Sequence, residues 1–179
     1  TLHYKADMIK NFFGNGDKWG VKIEYIYENK PLGTAGSLGL LPKNLDNLPI
    51  IVMNGDVLTT IPFEKLLDFH SEQGGQATVC VREYDFQVPF GVVATEGSKV
   101  MKIEEKPVHS FFVSAGIYVL DPSIIKNIEP DVYIDMPHFL TDLIESGSEL
   151  SAFPIHEYWM DIGREDDFYQ AQSDIIKLH

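Results

Sequence analysis

Three residues of this 179-residue sequence have types and settings that could do chemistry together: Asp56 in MNGDV, Asp161 in WMDIG and Lys106 in EEKP. Each aspartate follows an apolar run and has a glycine close by, and the end of a buried strand is a costly place for a lone charge. If the two runs end side by side, the carboxylates make an oxygen-donor site for Mg²⁺. That ion takes one or two carboxylates and fills its other positions with water and substrate phosphate. Either aspartate alone could instead cap the turn or helix that follows it; as a pair they favour a metal. Lys106 is stiffened by Pro107 at what reads as a strand end, where a cation could pin a phosphate or simply face solvent. Glu104 and Glu105 alternate across that strand, so at most one of them can share a pocket with an inward-facing group.

A fourth feature is the stretch ENKPLGTAG, residues 28–36, which packs proline, two glycines and small residues ahead of a helix-like run. Such a turn lets the main chain approach a ligand, and the helix behind it aims free N–H groups at something flat or anionic. A tight strand-to-helix corner would use the same residues, and the stretch lacks the spacing of a P-loop or a dinucleotide fold. The histidines, residues 3, 70, 109, 138, 156 and 179, have no metal-ligand spacing, and Cys80 is the lone cysteine, so no zinc cluster is expected.

These residues need a scaffold. The chain is long enough for one well-cored domain and short for two. Its charge of −13, from 27 acidic against 14 basic residues, argues against a nucleic-acid partner. Cys80 sits in the apolar alternation of QATVCVREY, which predicts a core position and fits a reducing compartment. No apolar run is long enough for a membrane helix and the N-terminus does not read as a signal peptide, so a soluble, cytoplasmic protein is expected.

Periodicity predicts a helix over residues 4–13 with Met8, Ile9, Phe12 and Phe13 on one stripe, then a half-buried strand over 21–27 and a short helix in GTAGSLGLL. The run PIIVMNGD, 49–56, reads as a strand covered on both faces in the middle of a parallel sheet. PFEKLLDFHSEQGG reads as a helix and ATVCVREY as a strand. FGVVATEGSKVMKIEEKP reads as two strands around Glu96-Gly97, and FFVSAGIYVL as another strand. DMPHFLTDLIESG is a helix with Asp135 as its cap, LSAFPI and EYWMDI are short strands, and REDDFYQAQSDIIKL is a closing amphipathic helix. The alternation of strands and helices predicts an α/β fold with an open, mixed, mostly parallel sheet. Ligands in such a sheet gather at the carboxyl ends of the strands.

Taken together, ENKPLGTAG, the strand ending in NGD, FGVV followed by EEKP, FVSAGIYVL and WMDIG resemble the sugar-1-phosphate nucleotidyltransferases in order and spacing, over nearly the whole chain. The resemblance implies the Rossmann-like nucleotide-diphospho-sugar transferase fold and a single domain over 1–179. Its nucleobase and metal part would be about 1–85 and its sugar-phosphate part about 86–179. It implies that Glu28, Pro31, Leu32, Gly33, Thr34, Ala35 and Gly36 lie against the nucleobase, with Asn54 and Gly55 in the nucleotide site. Asp56 and Asp161 would hold Mg²⁺ and Lys106 the sugar phosphate. Gly91, Glu105, Ser114, Ala115 and Gly116 would form the sugar pocket. The implied substrates are a nucleoside triphosphate and a sugar 1-phosphate. PLGTAG is most similar to the branch that makes GDP-mannose and related GDP-sugars.

Two departures stand out. The family usually has asparagine at position 114, where this chain has serine. Its Gly-rich loop with an arginine and a lysine, which cradles the triphosphate, belongs upstream of residue 1. The chain is therefore expected to be a fragment lacking the first β-loop-α unit and inactive alone, and a bared sheet edge could make it self-associate. The rival expectations are a non-catalytic nucleotide-sugar-binding or regulatory module and a glycosyltransferase of related fold, although the sequence offers no Asp-x-Asp at a strand end.

Overall fold

The computed structural model describes residues 1–44 and 47–178, so the histidine at 179 lies outside the described residues. The chain forms two compact units that interleave in sequence. The first is Thr1–Ile51, Gln73–Ala77 and Val119–Leu150; the second is Val52–Glu72, Thr78–Tyr118 and Ser151–His179.

The first unit is mainly helical. It holds α1 (Ala6–Phe13), α2 (Gly33–Gly36) running into a 3₁₀ turn over Ser37–Leu40, α4 (Pro122–Ile125) and α5 (Met136–Glu145). Leu32, Ala35, Leu38, Ile124, Ile125, Ile128, Met136, Phe139 and Leu140 are among its buried apolar residues, with Ala77, Val119 and Leu120 beside them. α1 forms where expected and Gly14, at φ 58°, ends it, yet Met8, Phe12 and Phe13 stay exposed.

The expected strand over 21–27 does not form. Ile23 and Tyr25 are half-buried while Lys22 and Glu24 are exposed, so the alternation holds over 22–25 and fails at the ends, where Val21 and Tyr27 are exposed and Ile26 is half-buried. Among the described residues, however, the only strand-like pairing there is one parallel bridge between Leu2 and Tyr27. Alternation reports which face is covered; a strand also needs a neighbour that continues the ladder.

The second unit carries most of the sheet. β1 (Ile50–Met53), β3 (Ala77–Gln87), β6 (Val108–Leu120) and β7 (Leu150–Pro154) join in the order β1-β6-β3-β7. α3 (Phe63–Gln73) precedes β3, and α6 (Glu165–Leu178) closes the chain. Two antiparallel ribbons complete it: β2 (Val57–Thr59) with β8 (Trp159–Asp161), and β4 (Gly91–Glu96) with β5 (Lys99–Glu105). β1 corrects a second expectation. It is an edge strand, with Met53 exposed, and is not covered on both faces. A continuous apolar run marks a strand fit for burial but does not say which neighbours are present. Cys80 on β3 is buried as expected, and burial pushes its thiol up to about 12.

Candidate functional site

In the second unit, three short segments remote in sequence are tied into one cluster by main-chain bonds. Val57 is directly opposite Asp161 in the β2–β8 ribbon, and the Ile162 N–H donates to the Asp56 carbonyl at 2.9 Å. The Asn54 N–H donates to the Gly116 carbonyl at 2.9 Å, and the Trp159 indole N–H donates to the Ala115 carbonyl at 2.8 Å. The SAG turn within β6 therefore holds both aspartate-bearing segments, one through Asn54 and the other through Trp159. Gly116 has φ 69°, and a Cβ there would stand 2.8 Å from the Asn54 side-chain nitrogen, so this junction requires glycine.

Asp56 and Asp161 thus sit at the same end of one ribbon. Both are exposed, and neither carboxylate makes a hydrogen bond or ion pair among the described residues. Among the described residues no group of three or more histidine, cysteine, aspartate or glutamate side chains could hold a metal. Two unpaired carboxylates with no imidazole or thiolate partner suit a hard divalent cation that keeps positions open for phosphate oxygens; the donor set fits Mg²⁺ and does not fit zinc.

Lys106 follows β5 with φ 47°, in the left-handed region that a lysine enters only at a cost of roughly 1–2 kcal/mol. Its neighbours hold it there. Its N–H donates to the Phe90 carbonyl at 3.3 Å, its own carbonyl accepts from Gln87 Nε2 at 3.3 Å, and Pro107 is buried beside it. The ammonium group is exposed and engages no carboxylate among the described residues. One residue earlier, Glu105 pairs with Gly91 across the β4–β5 ribbon, and a Cβ on Gly91 would lie 3.0 Å from Glu105 Oε2. The Glu105 carboxylate therefore lies over a position kept clear of side chain. Glu104, on the opposite face, is taken by Lys102 at 2.5 Å, and that bond holds its carboxyl below the usual range. Ser114 is committed within the chain: its hydroxyl lies 2.9 Å from the Tyr118 hydroxyl.

The PLGTAG turn belongs to the first unit, and its local chemistry corrects an expectation. Glu28 Oε2 accepts the Leu32 N–H at 3.2 Å and so closes the turn. The N–H groups that open α2 are not free for a ligand: Thr34 donates to Asp135 Oδ1 at 3.4 Å, and Ala35 and Gly36 both donate to the Ile134 carbonyl. Gly33 and Gly36 allow this approach, since a Cβ on either would fall 2.5 Å from the Ile134 carbonyl oxygen or 2.2 Å from that of Val132. The permissive residues thus serve backbone docking within the unit. Leu32, Ala35 and Gly36 are buried, Gly33 is half-buried, and Pro31 and Thr34 are exposed.

Asp135 departs from its expected role as well. Its side chain makes no capping bond to α5; it holds Thr34 and accepts from the Tyr133 hydroxyl at 3.0 Å. The α5 cap comes from the Thr34 hydroxyl, which accepts the Met136 N–H at 2.7 Å. The positions on opposite sides of this exchange are separated by 101 and 102 residues, so no local pattern announces it. Trp159 was a more legible omission, since a sheltered indole N–H needs an acceptor. A cavity of about 450 Å³ in the first unit is lined by Ile128, Val132, Ile134 and Phe139 and by none of residues 28–36. It is therefore separate from the turn.

The sequence matches the family model for nucleotidyl transferase over residues 1–177. It is 36% identical over 177 residues to mannose-1-phosphate guanyltransferase of Aspergillus fumigatus, covering 94% of this chain and 48% of that protein. It is 34% identical over 179 residues to mannose-1-phosphate guanylyltransferase catalytic subunit beta of Dictyostelium discoideum, covering 97% of this chain and 50% of that one. The chain spans about half the length of these curated relatives. Among solved structures it is similar to HddC from Yersinia pseudotuberculosis at TM-score 0.71 and 27% identity, over 97% of this chain and 76% of that one. A complex of HddC with GMP-PN matches at TM-score 0.70 and 26% identity.

Proposed function

Because the chain belongs to the nucleotidyl transferase family, we propose that the full-length protein transfers a nucleotidyl group from a nucleoside triphosphate to a sugar 1-phosphate. The products are an NDP-sugar and pyrophosphate, with GTP and mannose 1-phosphate as the leading pair. The observation that carries this reading is the convergence of Asp56 and Asp161 on one end of the β2–β8 ribbon, both free of internal partners. The guanyltransferase names of the relatives and the GMP-PN complex of HddC support the choice of base.

In this reading the chain forms one nucleotidyltransferase domain. Residues up to about 85 serve the nucleobase and metal, and the remainder serves the sugar phosphate. Asp56 and Asp161 hold Mg²⁺, which neutralises phosphate charge when bound. Asn54 and Gly55 shape the nucleotide side of the same cluster. Pro31 and Thr34 meet the base, on a turn whose shape Glu28, Leu32, Gly33, Ala35 and Gly36 maintain. Lys106 draws in the sugar phosphate and holds its attacking oxygen against the repulsion of the triphosphate, so the barrier falls chiefly through alignment and charge neutralisation. Glu105, over Gly91, accepts hydrogen bonds from sugar hydroxyls beside the Ser114-Ala115-Gly116 turn. Ser114 contributes by fixing Tyr118.

No helix among the described residues is long and apolar enough to cross a membrane. We place the protein in the cytoplasm, with its two small-molecule substrates as partners. The test is pyrophosphate release by the full-length protein, with each triphosphate paired against a panel of sugar 1-phosphates. Turnover with GTP and mannose 1-phosphate is expected to exceed all other pairs. Equal release without any sugar phosphate would refute transfer to a sugar.

A further inference from the structure

The β4–β5 ribbon is exposed along its whole length. Register pairs Gly91 with Glu105, Val93 with Ile103 and Ala94 with Lys102, then shifts so that Thr95 meets Val100 and Met101 bulges. One face therefore presents Val93, Val100 and Ile103 on the same side as Glu105, and these three are 49%, 53% and 67% exposed. The other face is charged, with Lys102 and Glu104 two residues apart on β5. Among the described residues β5 has β4 on one side and no strand on the other. The free N–H and C=O groups of such an edge can template strand addition, while its lysines, glutamates and bulge restrict which strand can add.

The sequence of that edge says what would add to it. Around Ile103, β5 reads Lys102-Ile103-Glu104. An antiparallel copy of the same strand, related by a two-fold axis at Ile103, places Lys102 opposite the copy's Glu104 twice over and Ile103 opposite itself. Opposite charges directly across a strand pair stabilise it, and like charges oppose it. Isologous contacts are self-complementary in this way. The acidic surplus of the chain does not extend here: residues 91–106 carry three glutamates and three lysines, against a net charge of −13 overall. β4, which reads GVVATE, has no such arrangement of charge.

We propose that β5 is a self-association edge, and that two copies of this chain join their β5 strands antiparallel across a two-fold axis at Ile103. Sedimentation velocity on the chain at about 100 µM tests this, a concentration suited to a small interface. The wild-type chain is expected to dimerise. Lys102→Glu and Glu104→Lys should each weaken the dimer roughly tenfold or more, because each creates two like-charge pairs across the axis. The double variant Lys102→Glu/Glu104→Lys should recover it. An equimolar mixture of the two single variants should form a heterodimer, since one edge is then wholly acidic and the other wholly basic. That last result separates pairing between copies from the salt bridge within each strand. A monomeric wild type, a dimer indifferent to both single variants, or a mixture of folded single variants that fails to associate would each overturn the proposal.

Discussion

Asp56, Asp161 and Lys106 differ in how their settings reveal them. The aspartates are exposed groups without partners, held at one ribbon end by main-chain bonds, whereas Lys106 is marked by a backbone it would not adopt unforced. Strain of that kind accumulates at functional positions when neighbours over-determine it. Lys106→Gly and Lys106→Ala should therefore separate folding from chemistry. Glycine should be more stable than alanine by roughly 1 kcal/mol in urea denaturation. Both should lose turnover and raise the KM for sugar phosphate; a glycine variant less stable than the alanine one would remove strain from the account. His138, which is exposed, is a suitable neutral control. His70 is not, because it is buried with Nδ1 2.9 Å from the Thr78 hydroxyl.

Among the elements, the turn at 28–36 and helix α5 are joined by an exchange that binds their stabilities together. Thr34→Val removes the hydroxyl that caps Met136 and should cost about 1 kcal/mol. Gly36→Ala drives a Cβ to within 2.2 Å of a carbonyl and should cost at least about 2 kcal/mol. Comparison with Gly55→Ala, where a Cβ would meet nothing within 4 Å and the backbone, like that of Gly36, is not left-handed, isolates the clash from the backbone term. Equal urea midpoints for the two alanine variants would contradict the docking of α2 on residues 132–134.

Helix α6 is tied to the residue before β8 by the Tyr158 hydroxyl, which donates to Asp174 at 3.0 Å. Gln170, and then Lys177 and Tyr158, hold the Asp174 carboxyl below its ordinary value of 3.8. A lowered folded-state value means that the tie contributes fully above that pH and is lost as pH falls through the lowered one. Tryptophan fluorescence during acid titration should show this loss in the wild type, and Asp174→Asn should flatten that phase.

Much of the element layout was legible in the sequence. Period and punctuation placed α1, α3, α5, α6 and the β4–β5 ribbon because in each the covered stripe and the end signals lie in the same stretch. The segment 21–27 and β1 were misread because strand status and burial depend on neighbours elsewhere in the chain. At the site, MNGDV and WMDIG named the aspartates, while the bonds that join them run through Ala115 and Gly116 and leave no trace at either motif. Asp135 was placed correctly and given the wrong task for the same reason.

For the whole molecule, the fold is that of its structural neighbours, and the family follows from a match along nearly the full length of the chain. Each unit is built from segments that the interleaved chain returns to it several times. Cys80 offers a probe of cooperative opening: with its thiol pushed up to about 12 by burial, it should not react with a disulfide reagent at pH 8 until the protein unfolds. Fast modification of the native chain would show that β3 opens locally.

The shared cation is most directly tested by pyrophosphate release from the full-length protein as a function of Mg²⁺, for Asp56→Asn, Asp161→Asn and both together. If the two carboxylates hold one ion, each single change should reduce turnover on the order of 10³-fold and the pair little more, because removing either ligand already disables the site. Losses that multiply in the double variant, or a single variant with unchanged Mg²⁺ dependence, would mean that the two aspartates act separately.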